Sequence, residues 1–159
     1  MSPQEYNESV ELYADRLFLF AYKRIQNHEQ AKDIVQESFT KIWLKRNEIQ
    51  SSKIKSYLFT TCHRAIIDYV RHRDKFSAET TIPESRSRES NHDLKEIMDQ
   101  ALNRLPDIQQ TVLMLRDYEG YNYQEIAEVT SLSESQVKVY IFRARKKMKD
   151  YLVKLDLVL

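Results

Sequence analysis

The eighteen residues from Phe76 to Asp93, FSAETTIPESRSRESNHD, interrupt an otherwise helical pattern and constrain the fold more than any other stretch. They are rich in Ser, Thr and Glu, carry Pro83 in their middle and lack an apolar period. A structureless run of this length is unusual inside one compact domain, so it reads as a flexible linker. The chain then divides into residues 1–75 and 94–159, each small for an independent core. Four acids against Arg86 and Arg88 leave the linker with a charge balance of −2.

On either side of the linker the apolar residues recur at three-and-four spacing. One Gly and three Pro in 159 residues are too few turn formers for an all-β design, so an all-α fold is expected. In the first half a helix is predicted from about Tyr6 to Arg24, with Leu17, Phe20, Ala21 and Ile25 on its buried side. A second starts after Asn27, an N-cap with Gln30 three residues on, and its stripe is Ala31, Ile34, Val35, Phe39, Ile42 and Trp43. Asn47 to Lys55 reads as a loop. A long third helix follows with Leu58, Cys62, Ala65 and Tyr69 facing the core. In the second half Leu94, Ile97, Met98, Ala101, Leu102 and Leu105 form one stripe, and Pro106 opens a further helix that stops at Gly120. Asn122 with Glu125 and Ser133 with Gln136 form two capping-box pairs separated by Thr130-Ser131-Leu132, the pattern of a helix-turn-helix. Its turn places Ser131 where a left-handed residue is normally needed, at a cost of about 1 kcal/mol.

Several function classes are weighed down by what is missing. One cysteine rules out a disulfide framework and a Cys-rich zinc site, and fits a reducing compartment. His28, His63, His72 and His92 are scattered, and none pairs with Cys62 or a carboxylate at ligand spacing. Gly120 stands alone, so no glycine-rich phosphate loop exists. No apolar run approaches the ~20 residues of a membrane span. Met1 to Ser9 is polar and acidic, unlike a signal peptide. The expectation is a cytoplasmic protein that is not an enzyme, with no cofactor, no metal, no small-molecule substrate and no membrane insertion.

The strongest signal lies in the last helix. A formal net charge of +1 conceals a segment, Ser135 to Lys149, with six Lys or Arg and no acid. Its inward stripe is Val137, Tyr140, Ile141, Ala144, Met148 and Leu152. The opposite stripe is Ser135, Lys138, Val139, Phe142, Arg143 and Lys146. A face that mixes small, basic and aromatic groups without a carboxylate suits a DNA major groove, because cations meet phosphate or guanine and apolar groups meet the thymine methyl. A basic helix face is more often simply solvated. The capped helix before it and the exposed Phe142 are what favour nucleic acid here.

The sequence resembles sigma factors of the extracytoplasmic-function (ECF) group, the smallest members of the sigma-70 superfamily. In the second half the resemblance rests on Leu105-Pro106, Leu115-Arg116-Asp117-Tyr118-Glu119-Gly120, Tyr123-Gln124-Glu125-Ile126-Ala127-Glu128, and Val137-Lys138 through Arg143-Ala144-Arg145. In the first half it rests on Asp33-Ile34-Val35-Gln36-Glu37-Ser38-Phe39 and on Tyr57-Leu58-Phe59 through Ile67-Asp68-Tyr69-Val70-Arg71. Both sets in this order are far more specific than the helix-turn-helix alone.

The resemblance implies two DNA-binding domains that act on core RNA polymerase. Residues 94–159 would read the minus-35 promoter element, with Lys138, Val139, Phe142 and Arg143 nearest the bases and Ser135 and Lys146 flanking them. Residues 1–75 would bind the polymerase clamp and open the minus-10 element. Asp33, Gln36 and Glu37, on their own a solvated acidic face, would then meet basic residues of the clamp. Ser51, Ser52 and Lys53 would hold an unstacked base. His63, Arg64, Ile67, Asp68 and Arg71, spaced away from the Leu58–Tyr69 stripe, would follow the phosphates of one strand. Tyr57 is read as structural, and Phe59 is left open. The linker would thread the channel later used by nascent RNA, and an anti-sigma factor would be a further partner. In the free state the two halves are expected to be mutually mobile, or folded together with their DNA faces masked. The competing reading is a stand-alone dimeric helix-turn-helix regulator binding two half-sites. A protein-only helical adaptor is a third.

Overall fold

The computed structural model describes residues 1–76 and 94–158. Among the described residues every regular element is helical. The order is α1 (Pro3–Ile25), α2 (His28–Leu44), a single 3₁₀ turn (Ser51–Lys53), α3 (Ile54–Phe76), α4 (Leu94–Asn103), α5 (Asp107–Leu113), a π turn (Met114–Tyr118) that continues it, α6 (Tyr123–Thr130) and α7 (Glu134–Val158). The linker predicted from Phe76 lies outside the described residues, except that Phe76 itself ends α3.

Local capping explains most of these boundaries. Ser2 and Glu5 form a capping box that starts α1 three residues earlier than expected, and Asn27 caps α2 by accepting from the Gln30 N–H at 3.1 Å. Asn122 and Glu125 exchange hydrogen bonds of 2.8 and 3.2 Å at the start of α6, and Ser133 and Gln136 exchange bonds of 3.1 and 3.0 Å before α7. Ser131 ends α6 in the left-handed region at φ 61°. After the π turn the chain reverses at Gly120, φ 71°, with the Tyr121 N–H closing on the Leu115 carbonyl at 3.0 Å.

In the N-terminal half α1, α2 and α3 pack on one another around Leu17, Phe20, Ile34, Ile42, Leu58 and Ile66. In the C-terminal half α5 and α6 pack on α7 around Val112, Leu115, Ile126, Val137 and Ile141. The buried residues of the two halves form one continuous cluster, because α6 lies against α3 and α5 lies against α1. The two halves are thus folded together, but the expected masking does not extend to the outer stripe of the last helix, which stays exposed.

That joint alters the expected faces of α3. Ala65 and Tyr69 are only half-buried, whereas Phe59 and His63 are buried along with Leu58, Cys62 and Ile66. The helix is covered on two sides, by α1 and α2 on one and by the C-terminal half on the other. Phe59 stands between the Phe20 and Tyr121 rings, with centroids 5.5 and 5.9 Å away, so it is the structural aromatic of the pair. Tyr57, read as structural from the sequence, is 44% exposed.

Candidate nucleic-acid interface

The helix-turn-helix is built from α6 and α7. Val137, Ile141, Ala144 and Met148 turn the inner face of α7 into the core, and that alignment pushes the opposite stripe outward. Ser135, Lys138, Val139, Phe142, Arg143 and Lys146 are all exposed, Phe142 by 69%. The structure therefore brings the six predicted residues together on one solvent-facing surface. Tyr123, at the start of α6, supports its edge, with the Lys138 ammonium 5.6 Å and the Arg116 guanidinium 4.7 Å from its ring centroid. Arg145 is turned away to Asp117, which its guanidinium meets at 2.7 Å, so this cation braces α7 against the π turn.

A second surface lies between the N-terminal half and α6. The C-terminal end of α2, the connector and the first turns of α3 enclose a cleft of about 800 Å³. Lys41, Lys45, Lys53 and Arg64 line it against two carboxylates, Glu48 and Glu128, and Tyr57, Thr60 and Thr61 supply an aromatic and two hydroxyls. The floor is held by Ile42 and Ile49, both buried. Of the residues expected to act on the minus-10 element, Lys53 and Arg64 line this cleft, while Ser51 and Ser52 sit exposed on the adjoining 3₁₀ turn. Sequence reasoning missed Lys41, Lys45, Thr60 and Thr61. The one-turn spacing of the two lysines just before the connector is the signal that could have found them.

The rest of that predicted set lies elsewhere on α3. His63 is only 3% exposed, a correction to the expectation that it faces outward. It lies with the half-buried Ile67 and the exposed Arg71 in a crevice closed by Arg24, Asp107 and Ile108. Burial, reinforced by the Arg24 and Arg64 cations, pulls the imidazole down to about 4, so it is neutral near pH 7. Asp68 remains exposed. Cys62 is buried, its thiol pushed up to about 12 by that burial, which makes it an inert packing group. On α2, Asp33, Gln36 and Glu37 are exposed side by side over a buried stripe that includes Phe39, and Glu37 pairs with Lys41 at 3.0 Å.

Comparison with known proteins assigns both halves. The family profile described as Sigma-70 region 2 matches residues 10–76, and that described as Sigma-70, region 4 matches residues 95–148. RNA polymerase sigma factor SigV of Bacillus subtilis (strain 168) is 31% identical over 143 residues, covering 88% of this chain and 86% of its own length. The chain belongs to the sigma-70 family of RNA polymerase sigma factors. Within it, this sigma factor is of the ECF group: ECF RNA polymerase sigma factor SigM of the same organism is 28% identical over 153 residues, covering 90% of this chain and 92% of its own. The fold agrees. The sigma factor RpoE of Bartonella quintana, solved in complex with the anti-sigma factor NepR, superposes with a TM-score of 0.78 at 22% identity, over 94% of this chain and 97% of its own. Sigma factors are transcription initiation factors rather than enzymes. Among the described residues no helix is long and apolar enough to cross a membrane.

Proposed function

We propose that this sigma factor directs promoter-specific initiation by holding core RNA polymerase and two promoter elements at once. The single observation that carries this reading is the outward face of α7. It joins three cations, a serine and two exposed apolar side chains with no carboxylate, on a capped helix whose other face is fully committed to the core. Residues 94–159 read the minus-35 element in the major groove, with Lys138, Val139, Phe142 and Arg143 at base edges and Ser135 and Lys146 on the flanks. Residues 1–75 open the minus-10 element. The basic cleft at Lys53 and Arg64, rimmed by Ser51 and Ser52, receives an unstacked base, and pulling that base from the duplex costs a few kcal/mol, offset by pocket contacts. His63, Ile67, Asp68 and Arg71 track the adjoining strand once the C-terminal half has moved off α3. The exposed Asp33, Gln36 and Glu37 face meets basic groups of the polymerase clamp.

Each half binds weakly, and the polymerase fixes their separation so that their affinities multiply. An anti-sigma factor is a further partner, the protein works in the cytoplasm, and residues 76–93 act as the tether. Run-off transcription with purified core polymerase on a genomic fragment library tests the reading. Discrete promoter-dependent transcripts that need both core and this protein are expected. Equally specific and tight duplex binding without core would refute it in favour of a stand-alone regulator.

A further inference from the structure

The crevice at His63 holds polar groups that the fold leaves without partners. It has a volume of about 190 Å³, lies between α1, α3 and α5, and is lined by Arg24, His63, Arg71 and Asp107. His63 is 3% exposed, and both of its ring nitrogens are sealed from water with no hydrogen-bond partner among the described residues. Arg24 gives one guanidinium nitrogen to the Thr111 hydroxyl, but its buried Nε has no partner there either. No carboxylate of the described residues lies within ion-pair distance of Arg24 or of the exposed Arg71. Buried polar groups in folded proteins nearly always find a partner, and an unpaired buried cation is costlier still. A water's share of liquid volume is about 30 Å³, so the crevice has room for about six waters or for one small solute.

We propose that this crevice is a binding site for a phosphate group, either free orthophosphate or the phosphoryl end of a nucleoside 5′-monophosphate. Two guanidiniums against one carboxylate leave it net cationic, which selects an anion, and the donor fork of arginine matches a tetrahedral oxyanion. The neutral His63 ring has one N–H to give and one nitrogen that only accepts, and the Asp107 carboxylate only accepts. A ligand that carries both a negative charge and an acidic proton satisfies this mixed set. Phosphate and its monoesters do so near pH 7, whereas sulfate, of the same shape, is fully ionised. Arg24 Nε and Arg71 donate to the phosphate oxygens, and the P–OH donates to Asp107 or to the His63 ring. Arg24 and Asp107 belong to none of the sets assigned to promoter or polymerase contact, so the site does not depend on how the protein meets DNA.

Isothermal titration of the full chain near pH 7 with orthophosphate, adenosine 5′-monophosphate and sulfate tests the site. Saturable one-site phosphate binding with a Kd of about 1 mM or tighter is expected, with sulfate at least about tenfold weaker. A monophosphate preferred by about tenfold or more identifies the nucleotide as the source, and equal or weaker binding identifies the free ion. Arg71→Gln, at an exposed position, should weaken phosphate binding about tenfold without moving the circular dichroism melt, and Arg24→Gln should weaken it further. Asp107→Asn should narrow the preference over sulfate, a change that misfolding could not produce. Arg73→Gln, which removes an exposed cation of α3 outside the crevice, should bind as the parent does. The competing occupant is water: no saturable heat up to about 10 mM phosphate would mean that water alone fills the crevice, and would overturn the site. Sulfate binding as tight as phosphate, or a preference untouched by Asp107→Asn, would overturn it too. So would an equal loss from Arg73→Gln, the mark of diffuse attraction to surface cations.

Discussion

Phe142→Ala separates recognition from folding more cleanly than any other change on α7. The ring is 69% exposed, so about a third of it is buried in the free protein. Full burial of such a side chain is worth about 1.5–3 kcal/mol, which leaves about 0.5–1 kcal/mol of folding stability at stake. In a chain of this size that corresponds to a Tm loss of about 1–4 °C. The exposed two-thirds is the part that a thymine methyl or sugar can newly cover, worth about 1–2 kcal/mol, or roughly 5- to 30-fold in affinity. Calorimetry of the free variant and quantitative run-off transcription with core polymerase at limiting promoter read the two effects separately. A Tm fall beyond about 10 °C would mean that the ring is a core group. An unchanged transcript yield would mean that the outer face of α7 does not touch DNA through this residue. Either result refutes the assignment.

Ser131→Gly should leave Tm equal or slightly raised, because relief of the left-handed conformation at φ 61° offsets the extra freedom glycine gives the unfolded chain; a clear Tm loss in calorimetry would contradict this. Glu37→Lys should weaken co-purification with core polymerase while leaving the circular dichroism melt unchanged, since the side chain is exposed and its pair with Lys41 is a surface one. His63 is buried neutral with its folded value near 4, so the unfolded chain takes up a proton first as pH falls. Its contribution is present above about pH 6.5 and is lost between there and pH 4, up to about 3 kcal/mol. His63→Gln should flatten that part of the stability–pH curve in denaturant titrations, and a curve parallel to the parent's would refute the burial.

Features set by near neighbours in the chain are legible in the sequence itself. Asn27, Asn122 with Glu125, and Ser133 with Gln136 cap helices where they are expected to, because a capping bond spans only three residues. The left-handed Ser131 follows from the same local reasoning. The outward stripe of α7 is equally readable, since a helix with one apolar stripe has only one way to face a core. The faces of α3 are harder. Its periodicity contains two overlapping apolar stripes, so His63 looks peripheral, Phe59 stays undecided and Tyr57 looks structural. The lysines of the cleft escape for a related reason, as Lys41 and Lys45 come from α2 and meet Lys53 and Arg64 only through the packing of α2 against α3.

By itself, then, the sequence determined that the chain is helical, where most helices begin and end, and which stripe of α7 meets water, all consequences of contacts within a turn or two of backbone. Only the tertiary structure decided that the halves close on each other and that Glu119 is buried between Arg16 and Lys55. It also decided that α3 is covered from both sides. Those outcomes depend on residues 64 to 103 positions apart coming together, as Lys55 and Arg16 do with Glu119. Periodicity records that a side chain is apolar or charged, but it does not record which distant surface will cover it.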